Sequence, residues 1–309
     1  MPQHATSCEI TRPNMHSHND ARIASHGRQA ALAKTRGSGN TCGDLTISEG
    51  YEELLRRHNL NSLDALFAYS AGERLDKLGL DPWRQRWRMT FEEGGKTRTL
   101  YLKRFQVPPR AARSSVRRSG SGAASLAGNE WEWIQRFAAD GIPCVQAVAF
   151  GQEMRGFREV RSAILTSAVA GQSLERWAAD WSAADRTTIR RLIPATADLI
   201  SRLHGRGYIH RDLYLSHLFF DPSQPIEQSL FLIDLQRVIR PQWCFRRWIV
   251  KDLAALNYST PSHLVSKADR VRWLRGYLGI EKLDDMARRL LYRVVGKTQR
   301  IAERERRRR

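Results

Sequence analysis

The chain has 309 residues, 41% of them hydrophobic, enough for one two-lobed domain of about 250 residues with a loose end. No apolar run reaches the roughly 18 residues that would span a bilayer. The first residues also lack the apolar core of a secretory signal, so the expected location is the cytoplasm. Lys and Arg number 51 against 32 Asp and Glu, and the net charge of +19 attracts polyanions: nucleic acid, acidic lipid surfaces or phosphorylated substrates.

Cys8, Cys42, Cys144 and Cys244 show no CxxC spacing. That argues against a structural zinc site and a disulfide framework, and reads as four reduced thiols.

Residues 1–45 are rich in His, Ser, Asn, Arg and Gly and poor in large apolar residues. They cannot bury enough surface to offset the entropy of ordering and are expected to be disordered. A first helix is expected from Ser48 as N-cap, with Glu49, Glu52 and Glu53 in its first turn. Between Trp83 and Phe105 apolar and polar residues alternate on both sides of Gly94-Gly95, which predicts a hairpin closed by residues of positive φ. Its second strand puts Tyr101, Lys103 and Phe105 on one face and Leu100, Leu102 and Arg104 on the other, so Lys103 is half buried.

Residues 107–127 are rich in Pro, Ser, Gly and Arg without an acid, and predict a mobile basic loop. Asn129 then caps a helix on which Glu130, Ile134 and Phe137 share an inward stripe, while Glu132 and Arg136 pair on the surface. Short strands are expected near 147–150 and 162–166, followed by a linker with Gly171 and a helix from Ser173. From Arg186 to Leu203 apolar residues recur at helical spacing with Pro194 as a kink, which places this helix in the core of the second half.

The chemistry lies downstream. His210-Arg211-Asp212-Leu213 matches the HRDL catalytic loop of protein-kinase-like enzymes, and Asp234-Leu235-Gln236 stands where they carry Asp-Phe-Gly. Phosphoryl transfer asks a protein mainly for positioning and charge neutralisation. Asp212 is therefore read as the base that orients the attacking hydroxyl. Asp234, ending the apolar Phe231-Leu232-Ile233, is read as the Mg²⁺ ligand at the phosphates of ATP. Lys103 would pair with phosphate oxygens and Glu130 would hold Lys103 by a charge-assisted bond.

Two features depart from the common pattern. His217 stands five residues after Asp212, where kinases carry an Asn metal ligand, and imidazole is a less usual magnesium ligand than oxygen. No GxGxxG loop precedes Lys103, and Ser70-Ala71-Gly72-Glu73 offers a short turn, with Gly72, that could approach the phosphates.

The segments HRDLYLSHLFF, FLIDLQRV, RRWIVKDLAALNYST and NEWEWIQRFAADGIPCVQAVAFGQE together resemble the lipopolysaccharide core kinases of the Kdo/WaaP family, over roughly 66–279. The resemblance implies an α+β protein-kinase-like fold with a small antiparallel-sheet lobe over 46–169, hinge included, and a larger helical lobe over 170–295. A basic tail over 296–309 would follow. It implies ATP- and Mg²⁺-dependent phosphorylation of a heptose or Kdo hydroxyl of the lipopolysaccharide inner core. Backbone contacts of Ser167 and Val169 to adenine and a bracing role for Asp252, at the start of a buried helix, belong to the same expectation.

Blander readings stand beside each assignment: a loop aspartate for Asp212, a strand-ending cap for Asp234, a snorkelling lysine for Lys103, a solvated acid for Glu130 and a core histidine for His217. Arg300 to Arg309 reads as a frayed solvated tail. Arg237, Arg240, Arg246, Arg247 and Lys251 concentrate just after Asp234, where an anionic acceptor on the inner leaflet of the cytoplasmic membrane would be met. Nucleic acid is disfavoured because aromatic residues do not interleave with the basic ones. Two other readings stay open: a kinase for a protein or another small molecule, and an inactive relative that binds nucleotide or lipopolysaccharide.

Overall fold

The Gly94-Gly95 turn organises the first lobe. Gly94 and Gly95 have φ of 55° and 76°, the mirror-image turn that matches strand twist. They join β4 (Arg84–Glu93) to β5 (Lys96–Gln106) as the sequence predicts. The structure is a computed structural model describing residues 40–42, 44–75, 81–181 and 185–308, which fall within one compact unit, Gly37–Arg309. The remaining strands of the sheet are β1 (Asn40–Cys42), β2 (Leu45–Ile47), β3 (Glu73–Arg74), β6 (Ala147–Arg155) and β7 (Arg158–Ser167). Their order is β1-β2-β6-β7-β5-β4-β3, and every pairing is antiparallel.

The two faces of this sheet bury different partners. Leu100 and Leu102 of β5 pack with Leu54 and Leu55 of α1 (Glu52–Arg57) and with Leu63 and Leu66 of α2 (Leu63–Ala68). Phe105 belongs to the other core, with Trp133, Ile134 and Phe137 of α4 (Leu126–Ala139). The strand's alternation thus aims Lys103 at α4. Arg104, on the α1–α2 side, is buried; its guanidinium donates to the Tyr69 carbonyl and lies against Phe67 and Trp87, and burial pulls its pKa down to about 10.

The second lobe is mainly helical. β8 (Gln172–Ser173), β9 (Leu218–Phe220) and β10 (Leu230–Leu232) form a small sheet in the order β10-β9-β8. Around it lie α5 (Leu174–Asp180), α6 (Arg186–Gly205), α7 (Phe245–Ser259), α8 (Lys267–Leu278) and α9 (Asp285–Arg306). Ser173 caps α5 and Pro194 lies inside α6, as the sequence indicates. The lobes are stitched where Val145 donates to the Leu232 carbonyl and Leu232 donates to that of Pro143, just ahead of β6. Among the described residues no helix is long and apolar enough to cross a membrane.

Several expectations are corrected. Residues 107–127 are not a loop throughout: they contain α3 (Arg110–Arg117), in which Val116 is buried and anchors a turn of good helix-forming Ala and Arg. The cap of α4 is Ser125, whose hydroxyl accepts from Gly128, and Asn129 is inside the helix and buried. The first helix begins at Glu52, because the Ser48 amide extends the strand pairing to Val148 and the chain turns at Gly50 before it can coil. At the other end α9 stays helical to Arg306: Asp284 caps it, and Ala287 and Val294 are buried along it. Most of 1–45 lies outside the described residues, although β1 already begins at Asn40. Cys8 and the Cys42 side chain lie outside them too; Cys144 and Cys244 are free thiols.

Candidate active site

Four elements converge on the cleft. Lys103 Nζ on β5 donates to Glu130 Oε1 at 2.7 Å and Oε2 at 3.0 Å on α4, and to Asp234 Oδ1 at 2.8 Å after β10. Glu130 is 1% exposed and the Lys103 side chain 14%, so neither charge is neutralised by bulk water. Burial works against the Lys103 ammonium, yet Asp234 and Glu130 outweigh it and raise its pKa. Burial likewise works against the Asp234 carboxylate, but Lys103, His217 and Arg86 hold it ionised, well below the usual carboxylate range. Glu130 runs the other way: burial, with Asp234 adding to it, outweighs Lys103 and raises its pKa.

Asp234 caps the 3-10 turn Leu235–Arg237 with φ 57° and ψ 59°, a left-handed geometry uncommon outside glycine. The turn is held from both sides. Asn129 Nδ2 donates to the Gln236 carbonyl at 2.7 Å, and Arg84 donates to Gln236 Oε1 at 3.2 Å. Asn129 is itself fixed by the Ser119 hydroxyl at 2.7 Å. The helix that carries Glu130 therefore also fixes the turn that carries Asp234.

The catalytic-loop segment is pinned from below. Asp252, buried midway along α7 rather than at its start, accepts the His210 amide at 2.7 Å and the Arg211 amide at 2.8 Å. Its Oδ2 also faces His204 Nε2 at 3.4 Å. Arg211 has φ 72°, a strained conformation for a side-chain-bearing residue, and the two bonds hold it there. His210 donates through Nε2 to the Ile233 carbonyl at 3.1 Å, tying the loop to the residue before Asp234. Burial lowers its pKa, so the ring is neutral.

His217 joins the two aspartates. Its Nδ1 lies 2.7 Å from the Asp212 carbonyl, an acceptor, so Nδ1 is the donor of this bond. Nε2 faces Asp234 Oδ2 at 3.8 Å. Asp212 itself is bound through both oxygens, at 2.7 and 2.9 Å, by one guanidinium nitrogen of Arg237. Among the described residues no trio of His, Cys, Asp or Glu gathers closely enough to cage a metal. An ionised Asp234, with His217 Nε2 beside it as a less usual nitrogen ligand, nevertheless fits magnesium, which usually takes one or two protein ligands and completes its shell with phosphate and water.

The remaining sequence candidates lie around this centre. Gly72 precedes β3, and a Cβ there would meet the Arg88 carbonyl at 2.4 Å, so it is a close strand contact. β3 pairs antiparallel with β4, and residues 76–80 between them lie outside the described residues. Ser167 ends β7 and donates its amide to the Gln146 carbonyl; Ala168 donates to Thr99, and half-buried Val169 packs on the main core. Both stand at the passage between the lobes. Arg237 on Asp212, Asn129 on Gln236 and the Arg84 contact were not separable in sequence from a surface cation, a helix cap and a strand residue. The position of Arg237, three residues after Asp234, is the one signal available.

The chain resembles known proteins. Residues 83–277 match the Lipopolysaccharide kinase (Kdo/WaaP) family. Lipopolysaccharide core heptose(I) kinase WaaP of Pseudomonas aeruginosa is 31% identical over 154 residues, 48% of this chain and 58% of that protein. The protein of that name from Escherichia coli K12 is 29% identical over 189 residues, 59% of this chain and 71% of the relative. The match thus spans little more than half the length of the first and over two thirds of the second. A solved structure, WaaP in complex with acyl carrier protein, has a TM-score of 0.61 at 25% identity and covers 84% of this chain and 98% of that one.

Proposed function

Because the chain belongs to the lipopolysaccharide kinase (Kdo/WaaP) family, we propose that it transfers the γ-phosphoryl group of ATP to a hydroxyl of heptose(I) in the lipopolysaccharide core. The observation that carries this reading is the convergence of Lys103, Glu130 and Asp234 beside a loop that presents Asp212. Heptose is preferred to Kdo because the relatives are named for heptose(I).

Each residue then has a defined task. Lys103, pre-organised by Glu130, directs its ammonium at the phosphates. Asp234 and His217 Nε2 would hold Mg²⁺, which neutralises phosphate charge when bound. Asp212 receives the proton of the sugar hydroxyl as the new oxygen–phosphorus bond forms and the bond from γ-phosphorus to the bridging oxygen breaks, with ADP leaving. Ser167 and Val169, between the lobes, would contact the adenine through their backbone.

The acceptor is part of a membrane lipid, and the basic surface favours peripheral attachment to an anionic inner leaflet. Binding to anionic vesicles at low salt, weakened by added salt, tests this; absence of binding removes it. The function is tested with dephosphorylated lipopolysaccharide core and labelled ATP, with mass spectrometry locating the phosphate. Wild-type protein is expected to label a heptose. Asp212→Asn should keep the melting-temperature rise given by Mg·ATP while turnover falls by about 10² or more, the range of a lost general base. A rise in melting temperature without turnover in the wild type would identify a nucleotide-binding protein and overturn the proposal.

A further inference from the structure

We infer that Arg237 senses the acceptor: without one it clamps the Asp212 carboxylate, and a carboxylate or phosphate beside the reacting hydroxyl draws it away and frees the base. The inference rests on the kinase reading above and assigns to the same site a preference for anionic acceptors.

Three observations carry it. First, the Arg237 nitrogen engages both Asp212 oxygens, at 2.7 and 2.9 Å, occupying the carboxylate edge that an incoming hydroxyl needs. Second, the Arg237 side chain is 52% exposed while Asp212 is 20% exposed. A half-exposed ion pair is weak and readily exchanged, and a phosphate or carboxylate offers guanidinium an equally good bidentate partner. The backbone beneath Arg237 is fixed through Gln236, so the exchange needs only a side-chain rotation.

Third, cations crowd beside the pair. Lys251 and Arg211 both lie over the Trp248 ring, at 3.9 and 5.4 Å from its centre. The Lys251 ammonium is lowered first by burial and then by Arg247, Lys297, Arg211 and Arg237; Arg211 is lowered by burial and then by Arg237. Such repulsion is relieved when an anion enters among them. An anionic substituent seated there would meet Arg237 at the moment its hydroxyl reaches Asp212.

The test compares two acceptors, core oligosaccharide bearing Kdo carboxylates and a neutral methyl heptoside, for wild type, Arg237→Gln and Arg237→Lys, each first shown by thermal melting to be folded. Arg237→Gln is expected to raise KM for the charged acceptor about ten-fold, as for loss of one charge-assisted contact, while leaving KM for the neutral one little changed and raising its turnover, because Asp212 is no longer clamped. It should also raise ATP hydrolysis without acceptor, because Asp212 is then open to water, and Arg237→Lys should recover part of the charged-acceptor KM. Equal losses on both acceptors with unchanged hydrolysis would overturn the inference and leave the kinase reading standing. A wild-type protein inert toward both acceptors would instead overturn the kinase reading, and the inference with it.

Discussion

The Lys103 ammonium lies 2.8 Å from Asp234 Oδ1 across 131 residues of sequence, and Glu130 takes the same ammonium from the other side. Replacing Lys103 by Met leaves buried Glu130 and half-buried Asp234 without their cation, a change that costs about 3–5 kcal/mol. The Lys103→Met protein is expected to melt at lower temperature and to lose the stabilisation given by Mg·ATP. Adding Glu130→Gln should return part of the stability without returning nucleotide binding. Calorimetry of the single and double variants checks both statements, and an additive double variant would show that the two side chains do not interact.

How much of this arrangement was legible in the sequence depends on how local its cause is. The β4–β5 hairpin is written in two glycines between alternating strands, and Lys103 facing α4 follows from period two along β5. The Glu130 stripe was equally readable from helical spacing. Helix α3 was not, since its Arg, Ser and Ala fit a loop as well as a helix, and the deciding contact, Val116 in the core, is long-range. The same holds for Asn129, whose residue type suggests a cap although its partners are Ser119 and Gln236. The Arg237 contact to Asp212 joins two loops that only the fold brings together.

Asp252 makes the catalytic loop depend on α7. An Ala there removes the acceptor of two amides, those of His210 and Arg211; leaving a buried donor unpaired costs about 1–3 kcal/mol. Asp252→Asn keeps one acceptor oxygen and is expected to be the milder change. Both variants should retain the Lys103–Glu130 pair, which lies on other elements. Turnover in Asp252→Ala should fall by about 10², because a displacement of roughly 1 Å at the base has that effect. Parallel urea melts and single-turnover kinetics would show whether the loss of rate exceeds the loss of folded protein.

His217 offers a separable test of the metal site. Its Nδ1 is occupied by the Asp212 carbonyl, so removal of the ring takes away both a loop contact and the Nε2 that faces Asp234. His217→Ala is expected to raise the Mg²⁺ concentration for half-maximal turnover by about ten-fold or more, the range reported by changes close to a metal. His217→Asn supplies a carboxamide oxygen and should restore much of that affinity. A Mg²⁺ titration unchanged in both variants would confine His217 to holding the loop.

The buried Glu159 gives the fold a pH dependence independent of the chemistry. Its carboxyl is 1% exposed, accepts from the Leu126 amide at the start of α4 and from the Ser162 hydroxyl, and has Arg113 nearby. Burial overrides these and pushes its pKa up to about 7 from 4.5. Between those values the folded protein binds the proton that the unfolded chain has released, so this group's stabilisation is complete below 4.5 and is lost as pH rises through about 7. His210 runs the other way, since its lowered pKa makes acidification below 6.5 destabilising. Asp234 loses its contribution only as pH falls below its ordinary value of 3.8, outside this window. The difference between wild type and Glu159→Gln cancels the His210 slope. The variant should therefore gain stability relative to wild type from pH 4.5 to 7.5, by no more than about 3 kcal/mol, the free energy of such a displacement. Melting curves collected across that range, giving parallel lines for the two proteins, would show that Glu159 titrates normally.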